Sequence, residues 1–260
     1  MTSIVNTQSL KVILQPASYP IMKFNNSNWH SNDNVGFSLG NAADLGEKPL
    51  ASLFKIRSLY DILNNDPYCH NGSRFRGYCK VVSCSNGENF QHQVLQLDQT
   101  HCQSDNPEFE NISRILPGLP LAAHFYSDIC EVVDAALFHC GLQNEPRPIQ
   151  TKVHLQRLSA TSECVGKASP AQPHKDNSKF LMVFVLGKSN VATVKNSLYD
   201  NKLRPIGEFE LSPMQYFCLD DRRYYHHVDE VVVQEDNLIG YRDSLILEIL
   251  PLSDTYAQMA

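Results

Sequence analysis

The residues with the clearest capacity for chemistry lie in the segment Pro173-His174-Lys175-Asp176, in the C-terminal half of the chain. In an extended strand, residues two apart point to the same face, so His174 and Asp176 can present an imidazole and a carboxylate to one point. Both groups are ligands for divalent transition metals. The pattern alone is weak, because a solvated histidine and aspartate on a surface loop would have the same sequence.

A second group of candidates follows about 50 residues later, where His226 and His227 end the run Asp220-Asp221-Arg222-Arg223-Tyr224-Tyr225. A histidine from a distant strand would complete a set of two imidazoles and one carboxylate. Such a set binds iron(II) on one face and leaves the other positions open for a co-substrate and oxygen. Adjacent strand residues face opposite sides of a sheet, so only one of the two histidines can meet the metal. The alternative for His226 is a partly buried strand histidine.

A buried cation is expected at Arg242, which precedes the apolar strand that begins at Ser244. A guanidinium inside a β core needs an anionic partner, and its planar fork matches a carboxylate through two hydrogen bonds. That carboxylate belongs either to a ligand or to a neighbouring residue, of which Asp243 is the nearest. The sequence leaves both alternatives open.

The order of these residues, His-x-Asp, a histidine about 50 positions on and an arginine about 16 positions later, resembles the layout of iron(II)/2-oxoglutarate dioxygenases. The chain is similar in particular to the bacterial family that hydroxylates free L-amino acids, the isoleucine 4-dioxygenase-like enzymes. Five more motifs carry the resemblance: Arg74-Phe75-Arg76-Gly77-Tyr78, Val153-His154-Leu155-Gln156-Arg157, Ser197-Leu198-Tyr199-Asp200, the segment 219–228, and Tyr241-Arg242-Asp243. The resemblance covers residues 74–250 and is strongest over 150–250.

This resemblance implies a double-stranded β-helix, a jelly-roll or cupin-like barrel with iron near its mouth. It implies that His174, Asp176 and His226 hold iron(II), since the family register aromatic-His-x-Val selects His226 over His227. Arg242 would bind the distal carboxylate of 2-oxoglutarate. The implied reaction is hydroxylation of a free L-amino acid or a small amino-acid derivative, with 2-oxoglutarate and O2 consumed, succinate and CO2 released, and ascorbate stimulating turnover.

Four further side chains are candidates for holding the substrate, because a free amino acid presents a carboxylate that an arginine near the mouth can bind. They are Arg74, Arg76, Arg157 and His154. The competing interpretations are ordinary strand-edge arginines and a satisfied core histidine. The chain also departs from its relatives, which show a glycine pair before the Ser-Leu-Tyr-Asp stretch where this sequence has Val191-Ala192-Thr193-Val194-Lys195-Asn196. The substrate of a relative therefore does not transfer directly.

Two other functions stay open at this point. The altered loop is compatible with a cupin-like barrel that binds a metal or small molecule without oxygen chemistry, although such a module has no evident need for an anchor like Arg242. The other alternative keeps the chemistry but acts on a protein side chain or a carrier-bound residue. A deep closed pocket would favour a free amino acid, and an open groove would favour a macromolecule.

Hydrophobic periodicity predicts the elements that position these residues. Helices are expected over 49–63 and 121–136, and a hairpin over 74–97. From residue 150 onward, seven short strands with no intervening helix indicate an antiparallel barrel or sandwich. These strands are expected at 152–158, 180–187, 190–194, 206–211, 215–219, 224–233 and 244–250.

The expected architecture is mainly β with flanking helices, in one domain over 1–260. Within it, a helical and hairpin part over 1–149 would flank a metal-binding core over 150–252. The first 47 residues are rich in turn-forming residues, notably asparagine over 24–34, and we expect loops or a weakly ordered arm there.

The composition is that of an ordinary globular protein, with 260 residues, 42% hydrophobic and 19% charged. A net charge of −6 disfavours nucleic acid as a partner. The sequence has no run of the roughly 18 apolar residues that a membrane span needs, and Met1–Pro20 do not read as a secretory signal. The eight cysteines form no CxxC pair, which indicates reduced thiols and a cytoplasmic location. The sequence does not predict the oligomeric state.

Overall fold

The computed structural model describes residues 12–13, 36–95, 100–102, 108–109, 112–119 and 124–252. The helices are α1 (Glu47–Arg57) and α2 (His124–His139), with 3-10 turns at Ala42–Leu45 and Ser58–Ile62. The strands are β1 (Val12–Ile13), β2 (Phe37–Asn41), β3 (Asn64–Asn65), β4 (Arg74–Ser85), β5 (Phe90–Leu95), β6 (Thr100–His101), β7 (Arg114–Ile115), β8 (Ile149–Ala160), β9 (Phe180–Ser189), β10 (Lys195–Tyr199), β11 (Pro205–Glu210), β12 (Gln215–Asp220), β13 (Tyr225–Val228) and β14 (Gly240–Pro251).

Two antiparallel sheets enclose the functional part of the molecule. The major sheet has the strand order β2-β12-β9-β14-β8-β4-β3, with β5 paired to β4, and the minor sheet has the order β1-β11-β10-β13. Side chains from both sheets line a single cavity. The fold is therefore the predicted one, a mainly β protein with flanking helices and a core of the double-stranded β-helix type.

The alternation of side chains along β9 shows how the sheets and helices divide the core. One set of β9 residues packs in the same cluster as residues of α1 and α2, and the other set packs with residues of the minor sheet. The first set is Met182, Phe184 and Leu186, and the second is Leu181, Val183 and Val185. A strand buried on both faces reads as one continuous apolar run, which is why 180–187 is so recognisable in the sequence.

The N-terminal half does more than flank the core. The predicted hairpin exists as β4 and β5, and β4 also pairs with β8 along ten residues, from Arg74 opposite Leu158 to Ser83 opposite Ile149. β2 pairs with β12 at the other edge of the same sheet. These pairings join segments distant in sequence, so periodicity could identify the strands without showing where they would lie.

One predicted strand is misplaced. The stretch 190–194 forms no strand beyond an isolated bridge from Val191 to Val233, and the strand of this region is β10 instead. Asn190 has a positive φ of 45°, and its side-chain amide donates to the carbonyls of Glu235 and Leu238, so the chain turns here after β9. The asparagine-rich stretch 24–34 lies outside the described residues. In the described part of the chain, no helix is both long and apolar enough to cross a membrane.

Candidate active site

Three of the residues singled out by sequence meet at one place in the cavity. His174 and His226 exchange two backbone hydrogen bonds of 3.0 Å in an isolated antiparallel bridge, although they lie far apart in the chain. The carboxylate of Asp176 contacts both rings, with Oδ1 at 3.6 Å from Nε2 of His174 and Oδ2 at 3.3 Å from Nε2 of His226. Each residue offers a ligand atom, and these three atoms lie within 4.8 Å of one another.

The protonation of His174 suits a metal ligand. Its Nδ1 lies 2.9 Å from the carbonyl oxygen of Gln172, and a carbonyl can only accept, so Nδ1 carries the proton and Nε2 keeps its lone pair. Burial lowers the pKa of His174 to about 4, which keeps the ring neutral. Two imidazoles and one carboxylate on one side of a site form the donor set of non-haem iron(II) oxygenases, so these residues fit that metal.

The neighbouring His227 has a different environment. It lies opposite Ser197 of β10, lines the cavity, and places Nδ1 at 3.8 Å from Oδ1 of Asp229. The structure thus puts His226, and not His227, beside Asp176. The alternation of a strand separates the two rings, as the sequence required.

Arg242 is a buried cation surrounded by neutral groups. Its Nη1 donates to Oγ of Ser244 at 2.7 Å and its Nη2 to Oδ1 of Asn196 at 3.4 Å, and no carboxylate of a described residue lies within ion-pair distance. Burial lowers its pKa to about 10, which still leaves the guanidinium charged at neutral pH. Asp243 does not pair with it, because that carboxylate binds Arg157 instead. A charged group in this state fits an anionic ligand bound in the cavity.

A second guanidinium in the same cavity has only a share of a carboxylate. Arg76 and Arg74 both direct Nε at the same oxygen, Oδ2 of Asp66, at 3.0 and 2.7 Å. Nη1 of Arg76 lies 3.0 Å from Nδ1 of His154, and its Nη2 has no hydrogen-bond partner among the described residues. One carboxylate oxygen therefore serves two buried guanidinium groups, and of the two only Arg76 lines the cavity.

A second histidine–carboxylate cluster, His101, His154 and Glu248, has spacing that would suit a metal. The hydrogen bond from Arg76 argues against this function. Arginine has donors only, so Nδ1 of His154 must accept and the proton of the neutral ring lies on Nε2. That Nε2 lies 3.0 Å from Oε1 of Glu248, whose Oε2 binds Lys152 at 2.9 Å. A protonated nitrogen has no lone pair for a metal, so we interpret the three residues as a buried polar cluster around Glu248 and not as a metal site.

The four residues predicted to hold the substrate divide into two pairs. Arg76 and His154 line the cavity. Arg74 is buried but does not line the cavity. Its Nη1 donates to the carbonyl oxygen of Lys167 and its Nη2 to that of Tyr68. Arg157 binds Asp243 and Asp61 and lies over the ring of Tyr241.

The predicted substrate role of Arg157 disagrees with its position. In β8 it follows Gln156, which lines the cavity, and successive strand residues face opposite sides of a sheet. Arg157 therefore points away from the site.

Several cavity residues were not found from the sequence. They are Gln156, Asn196, Ser244 and Glu248 in the core, and His101 and Arg114 from the segment between β5 and α2. Glu248 had a usable signal, because residues 242, 244, 246 and 248 share one face of β14 by strict alternation. His101 and Arg114 lie on two-residue strands, which leave no periodicity to detect.

Comparison with known proteins agrees with this geometry. The family model described as 2OG-Fe dioxygenase matches residues 57–248. No curated protein matches the chain in sequence. Among solved structures, a bsmA homolog from Methylobium petroleophilum PM1 is similar, with a TM-score of 0.71, 19% identity, and coverage of 83% of this chain and 88% of that one.

Two further structures share the fold. IDO from Bacillus thuringiensis has a TM-score of 0.66 and 14% identity, covering 89% of this chain and 100% of that one. The Fe(II)/(alpha)ketoglutarate-dependent dioxygenase TqaL has a TM-score of 0.61 and 13% identity, covering 86% of each chain. At such identities the similarity concerns the fold, whereas the family model spans more than half of this sequence. The chain therefore belongs to the 2OG-Fe dioxygenase family, and it is an enzyme that uses iron(II), 2-oxoglutarate and O2.

Proposed function

We propose that this dioxygenase hydroxylates a free L-amino acid or a small amino-acid derivative, with release of succinate and CO2. His174, Asp176 and His226 would hold the iron, which when bound supplies the activation of O2 that no side chain can provide. Arg242 would bind the distal carboxylate of 2-oxoglutarate, with Ser244 and Asn196 holding its guanidinium in place.

The observation that carries the substrate class is the second guanidinium, Arg76. Three buried arginines line the cavity, Arg76, Arg114 and Arg242, and the co-substrate would account for Arg242. Of the other two, Arg76 shares the single Asp66 carboxylate with Arg74, and its Nη2 has no hydrogen-bond partner among the described residues. A substrate carboxylate would satisfy Arg76 and fix the substrate relative to the metal ligands in the same cavity.

The burial of the cavity wall favours a small molecule over a protein substrate. Each lining residue is buried or half-buried, and none is exposed. The half-buried lining residues include Ala168, Ser169, His227 and Val228, which we take as the mouth. A folded protein segment would need an open groove, whereas a free amino acid can be enclosed with water excluded.

The other side chains have defined tasks in this proposal. His154 accepts from Nη1 of Arg76 and so restricts the rotation of the guanidinium. Glu248 holds the proton of His154 on Nε2 and is itself neutralised by Lys152. Leu181, Val183 and Phe217 contribute apolar surface that keeps water away from the reacting atoms.

The test is succinate formation from 2-oxoglutarate with iron(II) and ascorbate, measured across the twenty free L-amino acids. We expect one or a few of these amino acids to stimulate succinate formation. The analogue of the best substrate in which a carboxamide replaces the carboxylate should not stimulate it. Replacing Arg76 with Gln should raise the KM for that amino acid about tenfold to a hundredfold, the effect of losing a charge-assisted hydrogen bond of about 1.5–3 kcal/mol.

Arg74→Gln is the matched control, because Arg74 is equally buried and binds the same oxygen of Asp66 but does not line the cavity. Its substrate KM should stay within about twofold of wild type, a difference below 0.5 kcal/mol. Equal stimulation by the carboxamide, or stimulation by peptides or carrier-bound residues alone, would contradict the proposed substrate class.

A further inference from the structure

Asp221 connects the two segments of chain that carry the metal ligands. Its carboxylate is fully buried just after β12, and Oδ2 accepts three hydrogen bonds. These come from the backbone N–H of Asp176 at 2.9 Å, the backbone N–H of Ser178 at 3.0 Å and the hydroxyl of Ser178 at 3.2 Å. One oxygen of Asp221 therefore fixes the loop on which Asp176 lies.

The other oxygen of Asp221 faces His226. Oδ1 lies 3.6 Å from Nδ1 of His226, and neither atom has a hydrogen-bond partner among the described residues. The separation is slightly longer than a hydrogen bond, and contacts of this kind commonly tighten when a site is assembled. Two buried polar atoms facing each other without other partners are a donor and an acceptor for one another.

This contact decides which nitrogen of His226 can bind the metal. With a metal ion between Nε2 of His226 and the carboxylate of Asp176, the ring proton must lie on Nδ1, and the carboxylate of Asp221, which only accepts, would stabilise it there. The same arrangement holds at His174 through the carbonyl of Gln172. Each histidine thus has a separate acceptor for its Nδ1 proton, and only the one at His226 is a side chain that can be substituted.

We propose that Asp221 is a positioning residue of the metal centre, which sets the tautomer of His226 and holds the loop of Asp176 with the same carboxylate. The inference goes beyond the proposed function, because it concerns metal affinity and does not depend on the identity of the substrate. The geometry of two proposed ligands from distant segments, Asp176 and His226, would then depend on the single carboxylate of Asp221.

Asp221→Asn separates the two tasks. The three donors that converge on Oδ2 will retain the amide oxygen there, which leaves the amide NH2 facing Nδ1 of His226. That NH2 would donate to Nδ1 and move the ring proton to Nε2, where it blocks the metal. The loop of Asp176 keeps its hydrogen bonds in this variant. A loss of metal affinity would therefore result from the changed tautomer of His226 and not from disorder of the loop.

The measurement is cobalt(II) affinity of the full-length protein by spectroscopic titration. Asp221→Asn should weaken binding about tenfold to a hundredfold, the usual effect of removing an outer partner of a ligand. Asp220→Asn is the matched control, because Asp220 is the adjacent residue with the same charge but binds Arg222. Its cobalt affinity should equal that of wild type.

Nitrogen-15 NMR of the His226 ring in the wild type gives a second readout that requires no variant to fold. The zinc-loaded protein should show Nδ1 protonated and Nε2 bound to metal. Metal on Nδ1, or a folded Asp221→Asn variant with wild-type cobalt affinity, would overturn the proposal. Failure of the wild type to bind cobalt would instead refute the metal centre itself, so the two failures are distinguishable.

Discussion

Arg157 and Asp243 form a doubly hydrogen-bonded ion pair between β8 and β14, with Nε–Oδ1 and Nη2–Oδ2 distances of 2.7 and 2.9 Å. The pair lies on the face of the major sheet opposite the cavity. Arg242 lies on the other face of β14 and projects into the cavity, where its side-chain partners among the described residues are Ser244 and Asn196. The salt bridge that the sequence allowed between Arg242 and Asp243 is thus replaced by one that leaves Arg242 available to a ligand.

The first prediction concerns the fork of Arg242. Arg242→Lys should raise the KM for 2-oxoglutarate about tenfold to a hundredfold, because an ammonium cannot form the two parallel hydrogen bonds worth about 1.5–3 kcal/mol. Arg242→Met should raise it further, since the charge is lost as well. Initial rates of succinate formation against 2-oxoglutarate concentration test both. Arg222→Lys, on the exposed turn after β12, serves as control, and a wild-type KM in Arg242→Met would reject the anchor.

A second prediction is that only one of the two histidine–carboxylate clusters binds metal. Equilibrium dialysis should give one tightly bound cobalt(II) per chain, lost in His226→Ala. His154→Ala should retain that ion, because Nε2 of His154 is protonated and faces Glu248. His227→Ala should retain it as well, since its ring lies away from Asp176. If His154→Ala lost the ion and His226→Ala retained it, the metal would bind at the cluster of His101, His154 and Glu248, which would contradict the prediction.

The third prediction concerns stability in acid. Burial raises the pKa of Asp66, but the attraction of Arg76 and Arg74 outweighs it, so the pKa lies below its ordinary value. A carboxylate with a depressed folded-state pKa stabilises the fold fully above its unfolded value of about 3.9 and loses that contribution as the pH falls through the folded value. Asp66→Asn should therefore cost about 3–5 kcal/mol at pH 7, the usual effect of breaking a buried ion pair.

The difference in unfolding free energy between wild type and Asp66→Asn should narrow as the pH falls below the ordinary aspartate value of about 3.9 and through the lower folded-state pKa of Asp66. Denaturant midpoints from pH 7 to pH 2.5 measure this. Asp200→Asn is the comparison, because the pKa of Asp200 is also lowered, to about 2 by Arg204, but in a solvent-exposed turn where we expect no measurable change in the midpoint. A constant difference across the whole pH range would show that Asp66 acts through packing and not through its charge.

The sequence singled out His174, Asp176, His226 and Arg242 because each lies within a short local pattern, and the structure brings all four to one cavity. His174 and Asp176 are two residues apart, His226 lies within a dense motif, and Arg242 precedes a long apolar strand. Strands buried on both faces, such as β9, were equally clear. Pairing between distant strands brings these residues together. Periodicity does not predict such pairing, so the prediction that they meet came from the family resemblance.

The failures have physical reasons of the same kind. Arg157 was predicted to face the site, but a shift of one residue in a strand reverses the side to which a residue points. Asn190 ends a strand through side-chain hydrogen bonds to Glu235 and Leu238, which lie over 40 residues away. No local sequence pattern marks Asp221 as a positioning group, since its hydrogen-bond donors at Asp176 and Ser178 come from a separate loop.

The attachment of β4 to the edge of β8 has an evolutionary consequence. The proposed metal ligands and Arg242 all come from residues 174–242, whereas Arg76, His101 and Arg114 come from residues 76–114. If Arg76 binds the substrate as we propose, reaction and recognition are encoded on separate stretches of one gene. Mutation in the earlier stretch would then change which molecule is admitted while the oxidative machinery stays intact, so one ancestral enzyme of this design would give rise to descendants with different substrates.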